Sequence, residues 1–127
     1  MSVLVDSSVW IEYFRGTNDT LHLDYLIEEN LVVVNDLILA ELIPALHLRK
    51  QRKLIALMHE IACPPLTIDW DDVILMQITC LRNGINKVGI PDLFIAQHAI
   101  QNNLDLYSLD KHFSLMAKKI PLSLYEK

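Results

Sequence analysis

The residues of this sequence best suited to chemistry are acids at the ends of predicted strands and helices. Asp6 directly follows a short apolar run, and Asp110 comes three residues after Tyr107, which ends another such run. Asp92 lies in the first turn of a predicted helix. Asp92 and Asp110 each have an ordinary structural explanation as well, because a carboxylate caps backbone N–H groups or faces the helix dipole at such positions. Their chemistry therefore depends on whether the fold brings them together.

Glu41 is the acid that is hardest to explain structurally, because it lies inside the apolar segment 37–43. Its neighbours three and four positions away, which share its side of a helix, include no base. An unpaired carboxylate on an apolar helix carries a large desolvation cost when it is buried. A distant base such as Arg15 or Arg82 could neutralise it, and the alternative is a metal cation.

A cluster of Asp6, Glu41, Asp92 and Asp110 would be a set of oxygen ligands, with no histidine or cysteine expected beside it. Hard oxygen ligands select Mg²⁺, for which Mn²⁺ can substitute, over Zn²⁺ or Cu²⁺. Mg²⁺ bound by few carboxylates keeps coordinated water, which can serve the hydrolysis of phosphate esters. Convergence of these acids would therefore indicate metal-dependent phosphate chemistry.

Short apolar runs alternate with helical patterns along the chain, and this alternation predicts an α/β fold. The predicted strands are residues 2–5, 31–34, 66–68, 104–107 and 122–124. Strands separated by helices pair in parallel through right-handed crossovers, so we expect a parallel sheet of about five short strands flanked by helices on both faces. Binding sites in such sheets form beyond the carboxyl ends of the strands, where Asp6 and Asp110 are expected.

Length and composition predict a single domain over residues 1–127 and exclude several classes of protein. Of the 127 residues, 52% are hydrophobic and 21% are charged, which suits one compact core and excludes intrinsic disorder. The longest uninterrupted apolar run is five residues, at 54–58, whereas a membrane span needs about 20. The N-terminus lacks the pattern of a secretory signal, so a cytoplasmic protein without membrane contact is expected.

Basic residues concentrate in one segment although the chain as a whole carries a formal net charge of −5. Residues 43–59 contain four bases and no acid, namely Arg49, Lys50, Arg52 and Lys53, which we expect on one helix. Two interpretations remain open: an ordinary solvated surface, or a face that neutralises the phosphates of a polyanion such as RNA.

The predicted first helix is apolar almost all round, with five apolar residues among the six at 9–14. A short helix cannot bury all of these side chains against one face of a sheet. The pattern predicts a surface for another protein chain, unless neighbouring helices cover it.

Taken together, these residues resemble the PIN-domain ribonucleases, and among them the VapC-type toxins of toxin–antitoxin pairs. The resemblance covers essentially the whole chain and rests on four motifs in the family's order: DSSVWIEYF at 6–14, AEL at 40–42, GIPDLFIA at 89–96 and SLDKHF at 108–113. It implies that Asp6, Glu41, Asp92 and Asp110 hold the metal. It also gives Ser8 the place of a small hydroxyl residue beside the first acid, and Ser108 a place where many members have threonine.

The function implied by this resemblance is Mg²⁺-dependent cleavage of RNA, with transfer RNA as a frequent substrate class. The resemblance also implies a homodimer and inhibition by a small antitoxin that wraps the toxin. The alternative within the same fold is a catalytically silent module that binds RNA or protein, and the presence of all four acids argues against it. A receiver domain would need an adjacent acidic pair early in the chain, and an aspartyl phosphatase would need Asp-x-Asp after the first strand; neither pattern is present.

Overall fold

The centre of the molecule is a parallel sheet of short strands. In the computed structural model, which describes residues 2–16 and 22–126, β1 (Val3–Val5) lies between β2 (Val32–Val33) and β3 (Asp105–Tyr107). Both neighbours of β1 run parallel to it. The three residues of β1 are completely buried, which explains why this strand reads as an uninterrupted apolar run.

Helices alternate with these strands and flank the sheet, which confirms the predicted α/β fold. Their bounds are α1 (Ser7–Phe14), α2 (His22–Glu28), α3 (Asp36–Leu48), α4 (Arg52–Glu60), α5 (Trp70–Arg82), α6 (Ile90–Gln101) and α7 (Lys111–Met116). Helical spacing of apolar residues predicts that the second helix, α2, covers residues 20–29, and residue 20 lies outside the described residues. Within the described ranges, no helix has both the length and the apolar character needed to cross a membrane.

The sheet has three strands in its described part, fewer than the five or so expected. The segment 66–68 forms no strand, and Ala62 instead makes a single parallel bridge to β2. Two prolines follow Ala62 within three residues, and because proline lacks an N–H donor the ladder does not continue there. The segment 122–124 likewise contributes one bridge, from Leu124 to β3. The outer strands of the prediction are thus reduced to single-residue pairings.

The four bases do not share one helix as expected. Helix α3 continues through Pro44 to its end at Leu48, and the chain then turns before α4 begins. Lys50 lies in this turn with φ of 56°, a left-handed conformation typical of residues just after a helix. We call Arg49, Lys50, Arg52 and Lys53 the basic turn; all four are exposed, and the last two open α4.

The apolar side chains of α1 are mostly covered by the protein itself. Val9 and Trp10 are completely buried, and Tyr13 and Phe14 pack partly buried against the core, while Ile11 stays 42% exposed. The apolar surface that α1 leaves open is therefore reduced to Ile11 and to parts of Tyr13 and Phe14. A larger exposed apolar surface lies on α5 instead, and it consists of Trp70, Ile74, Leu75, Ile78 and Leu81.

Candidate metal centre

Asp6 lies at the carboxyl end of β1 with its side chain buried. Its backbone N–H donates to the carbonyl oxygen of Tyr107 at 2.9 Å, which ties the end of β1 to the end of β3. Its Oδ2 accepts hydrogen bonds from the hydroxyls of Ser8 and Ser108, both at 2.9 Å. Its Oδ1 receives no hydrogen bond from the described residues, so one oxygen is fixed and the other remains available to a cation.

The same two serines organise the loop that carries Asp110. The hydroxyl oxygen of Ser8 accepts the backbone N–H of Leu109 at 3.1 Å, and that of Ser108 accepts the backbone N–H of Asp110 at 3.0 Å. Each serine therefore donates to Asp6 and accepts from the loop after β3. This arrangement links the first and last acids of the cluster through two short side chains.

Asp92, Asp110 and His112 each offer a ligand atom to one group, and these atoms all lie within 4.8 Å of one another. Asp92 stands in the first turn of α6. Asp110 caps α7 as predicted, because its Oδ1 accepts the backbone N–H of His112 at 2.9 Å, and the same oxygen lies 3.1 Å from Nδ1 of that histidine. These three side chains are half-buried, which leaves them open to a ligand.

His112 is a site residue that sequence reasoning missed, and the expectation that no histidine accompanies the acids is wrong. A residue two positions after a capping aspartate presents its backbone N–H to that carboxylate. A histidine at this position can bring its ring to the same oxygen. The pairing of a capping Asp110 with a histidine two residues on was therefore the signal that could have identified it.

Glu41 joins the cluster electrostatically from α3. Its side chain is exposed rather than buried, yet its pKa is raised above the ordinary value by partial loss of solvation, and then by the negative charges of Asp6 and Asp92. Arg15, one candidate for its counter-charge, is bound to Glu12 at 3.0 Å. Across residues 2–16 and 22–126, no ion pair to Glu41 is present, so a distant base does not explain this acid.

Asp92 shows the same effect of crowded negative charge. Its pKa is raised by burial and by the charges of Asp110 and Asp6, against the opposing effects of a backbone hydrogen bond from Gly89 and of His112. Carboxylates that raise one another's pKa values destabilise the folded state when all are ionised. The cluster thus has the charge and the ligand atoms that a divalent cation would satisfy.

The ligand set fits a hard divalent cation better than a soft one. Carboxylate oxygens supply most of the ligand atoms, which suits Mg²⁺. The one imidazole is a ligand that Mn²⁺ accepts more readily than Mg²⁺ does. Cys63 and Cys80 take no part in the group, and both are free thiols.

A groove of about 360 Å³ runs between α1, α3 and the start of α4. Leu42, Leu46 and Phe14 give it an apolar lining, and Arg15 and Arg49 add two positive charges.

The sequence model of the PIN domain family matches residues 3–119 of this chain. The chain belongs to the PIN domain family. The family resemblance of its motifs is thereby confirmed, since the match spans nearly the whole sequence. No curated protein sequence matches the chain.

Solved structures share the fold of this PIN domain at low sequence identity. VapBC2 from Rickettsia felis, bound to a DNA fragment from its promoter, has a TM-score of 0.77 at 18% identity, covering 98% of each chain. VapBC-1 from nontypeable Haemophilus influenzae has 0.71 at 21%, covering 99% of this chain and 98% of that chain. Mycobacterium tuberculosis VapC20, a sarcin-ricin loop cleaving toxin, has 0.65 at 17%, covering 96% and 99%. These similarities establish the fold.

Proposed function

We propose that this PIN domain is a Mg²⁺-dependent endoribonuclease toxin that hydrolyses RNA phosphodiester bonds. The proposal rests above all on one observation: Asp92, Asp110 and His112 place ligand atoms within 4.8 Å of one another. The raised pKa values of Glu41 and Asp92, which reflect the charge of Asp6 as well, support the inclusion of the other two acids.

In this proposal the four acids divide the work of holding the cation and moving protons. A divalent cation there would orient the phosphodiester, lower the pKa of coordinated water and offset charge that develops on the phosphate oxygens. Asp6 and Asp92 are assigned as direct ligands, and Asp110 and Glu41 as further ligands or as bases that position water. A carboxylate with a raised pKa, such as Glu41, accepts a proton more readily near neutral pH. Mn²⁺ may be used in place of Mg²⁺ in experiments.

The serines have a positioning role in the same scheme. Ser8 and Ser108 both donate to Oδ2 of Asp6, which fixes the carboxylate and leaves its Oδ1 for the cation. Ser108 also holds the backbone of Asp110 at 3.0 Å.

The proposed substrate is RNA, with transfer RNA as the first class to examine. The acidic cluster repels RNA, so bases elsewhere must hold its phosphates. We assign this task to the basic turn, because its four side chains are exposed and none has an ion pair among the described residues. The description of VapC20 as a loop-cleaving toxin supports a nuclease role for this fold.

The proposed protein partner is a cognate antitoxin. Two of the compared structures are VapBC complexes. The groove between α1, α3 and α4 fits an apolar segment that carries acidic residues, because its lining is apolar and contains Arg15 and Arg49. We further propose a cytoplasmic location, in agreement with the absence of a membrane-spanning helix from the described residues.

A homodimer is the last part of the proposal, and we place its interface on α5. Trp70, Ile74, Ile78 and Leu81 recur at helical spacing along the exposed side of this helix. The first turn of α5 is acidic and its last turn contains Arg82. In a twofold antiparallel pair, the acidic end of one copy meets the basic end of the other, so both the charges and the apolar stripe are complementary to themselves.

Substituting Ile74→Glu and Ile78→Glu together is expected to convert the dimer to a monomer, because four carboxylates would then meet at the centre of the interface. Sedimentation velocity would detect the halved mass. Leu115→Glu serves as the control, since Leu115 is exposed on α7, outside the stripe. A monomeric wild-type protein, or a dimer that survives the double substitution, would exclude this interface.

Incubation of the purified protein with total RNA tests the central proposal. Discrete fragments are expected with Mg²⁺, none with a chelator, and none from Asp6→Asn in either condition. Gel electrophoresis with end mapping identifies the cleaved bonds. RNA that is bound but never cut would instead support the alternative of a catalytically silent binding module.

A further inference from the structure

Two buried polar side chains outside the acidic cluster lie in contact with each other. Asn35 and His98 are 0% and 1% exposed. A buried polar pair is costly unless its hydrogen bonds are satisfied. The proposed chemistry uses neither residue, so their role requires a separate explanation.

The hydrogen bonds of this pair assign a single tautomer to His98. Its Nε2 lies 3.2 Å from the carbonyl oxygen of Pro64, which can only accept, so Nε2 carries the hydrogen. Nδ1 is then an acceptor, and the side-chain amide of Asn35 donates to it across 3.4 Å. Burial lowers the pKa of His98 against the opposing effects of Asp36 and of the backbone at 64–65, which favours this neutral form.

Asn35 uses its other side-chain atom to begin α3. Its Oδ1 accepts the backbone N–H of Ile38 at 2.9 Å, which makes Asn35 the N-cap of this helix. The orientation of its amide is therefore determined, because Oδ1 faces the helix and the amide nitrogen faces His98. One asparagine thus starts α3 and binds α6.

The position of this pair relates it to the acidic cluster. Asn35 lies six residues before Glu41 at the start of α3, and His98 lies six residues after Asp92 on α6. Six residues of α-helix span about 9 Å. Helix α3 packs mainly against α1 and α4 rather than against α6. The hydrogen bond between Asn35 and His98 is therefore a direct side-chain link between α3 and α6, the helices that carry Glu41 and Asp92.

We propose that Asn35 and His98 are positioning residues that hold α3 against α6 and thereby place the carboxylate of Glu41 beside that of Asp92. This inference rests on the proposed function, since it concerns the geometry of the same cluster. Both residues act through the helices they join and touch neither substrate nor cation.

Two substitutions at His98 separate this role from simple filling of the core. In His98→Asn the side-chain oxygen can take the place of Nδ1, which keeps the bond from Asn35 and loses the one to Pro64. In His98→Gln the amide nitrogen can take the place of Nε2, which keeps the hydrogen bond to Pro64 and loses the one from Asn35. We expect His98→Gln to weaken Mn²⁺ binding about tenfold, as loss of an orienting contact commonly does, and His98→Asn to restore most of the affinity. Asn35→Ser retains a cap for α3 but lacks the side-chain amide that donates to His98, and it replaces His98→Gln if that variant does not fold.

The decisive comparison repeats the measurement in a Glu41→Gln background. If the pair acts by placing Glu41, His98→Gln has no further effect on Mn²⁺ affinity once Glu41 is neutral. An equal loss in both backgrounds, or equal losses in His98→Asn and His98→Gln, would overturn the proposal. Mn²⁺ binding is measured by electron paramagnetic resonance of the free ion.

A readout without metal keeps the positioning role distinct from the proposed function. The backbone amide signal of Glu41 in metal-free nuclear magnetic resonance spectra should move in His98→Gln and stay near its wild-type position in His98→Asn. If the wild-type protein binds no Mn²⁺, the proposed metal chemistry is refuted, but the spectra of the two variants still test the positioning role. A signal that moves only in His98→Gln supports that role, and signals that move equally in both variants reject it.

Discussion

Asp92→Asn is expected to remove most of the rise in melting temperature that Mg²⁺ or Mn²⁺ gives the wild-type protein. A cation that binds only the folded state at a concentration of about 100 Kd stabilises it by about 2.7 kcal/mol. For a domain of this size, that corresponds to a shift on the order of 10 °C. The variant loses a direct ligand from the cluster, and thermal unfolding followed by circular dichroism measures both shifts.

The metal-free proteins provide a second comparison in the same experiment. The raised pKa of Asp92 means that its ionised form is disfavoured in the folded state relative to the unfolded one. Its cost to stability therefore grows as pH rises through its ordinary pKa and the raised value, and it is fully present at neutral pH. Asp92→Asn should then melt above the wild-type protein at pH 7 and lose this advantage in acid. Glu29→Gln, at an exposed position just after α2, is the control. An equal metal-induced rise in Asp92→Asn would refute a cation at this residue.

Replacing all four bases of the basic turn with glutamine is expected to weaken RNA binding about a hundredfold. Each phosphate contact contributes about 0.7 to the slope of log affinity against log salt concentration for single strands, so the salt dependence should also flatten. Fluorescence anisotropy with labelled RNA at several salt concentrations gives both values. Measurement in the Asp92→Asn background prevents cleavage, and metal binding is measured separately in otherwise wild-type protein, where it should not change.

A matched pair of double substitutions distinguishes local contact from net charge. Arg49→Gln with Lys50→Gln should cost about tenfold in affinity at moderate salt. Lys118→Gln with Lys119→Gln changes the net charge equally, at exposed positions after α7, and should cost much less. Equal losses in the two doubles would show that the turn is ordinary surface.

The sequence was a good guide to the fold because the buried strands have a local signature. β1 is an uninterrupted apolar run, and the alternation of such runs with helices defines the class. The segment 66–68 has a similar composition but forms no strand. A strand exists only when a neighbour supplies hydrogen bonds, and no local pattern reports that neighbour. For the same reason, the sequence did not indicate that the segment 122–124 contributes only one bridge to the sheet.

The candidate site was predictable where a residue was out of place in its own segment. Glu41 stood out because an acid within an apolar helix lacks a local partner, and nearby charges in the structure do raise its pKa. His112, Asn35 and His98 gave no such signal. Each is an ordinary polar residue in sequence, and its significance comes from a contact with Asp110 or between α3 and α6.

Exposure of apolar side chains was the least predictable property. Helix α1 has the denser run of apolar residues, yet Trp10 is completely buried, whereas Trp70 on α5 is 61% exposed. Periodicity identifies the apolar sides of a helix, but the number of neighbours available to cover them depends on tertiary packing.

The hydrogen bond between Ser108 and Asp6 joins residues 102 positions apart in the chain. A polypeptide still emerging from the ribosome has Asp6 about a hundred residues before it has Ser108, Asp110 and α7. Incomplete products that end before residue 108 cannot assemble the cluster, so the cell that makes this protein meets a formed centre only after the segment 108–116 has been synthesised.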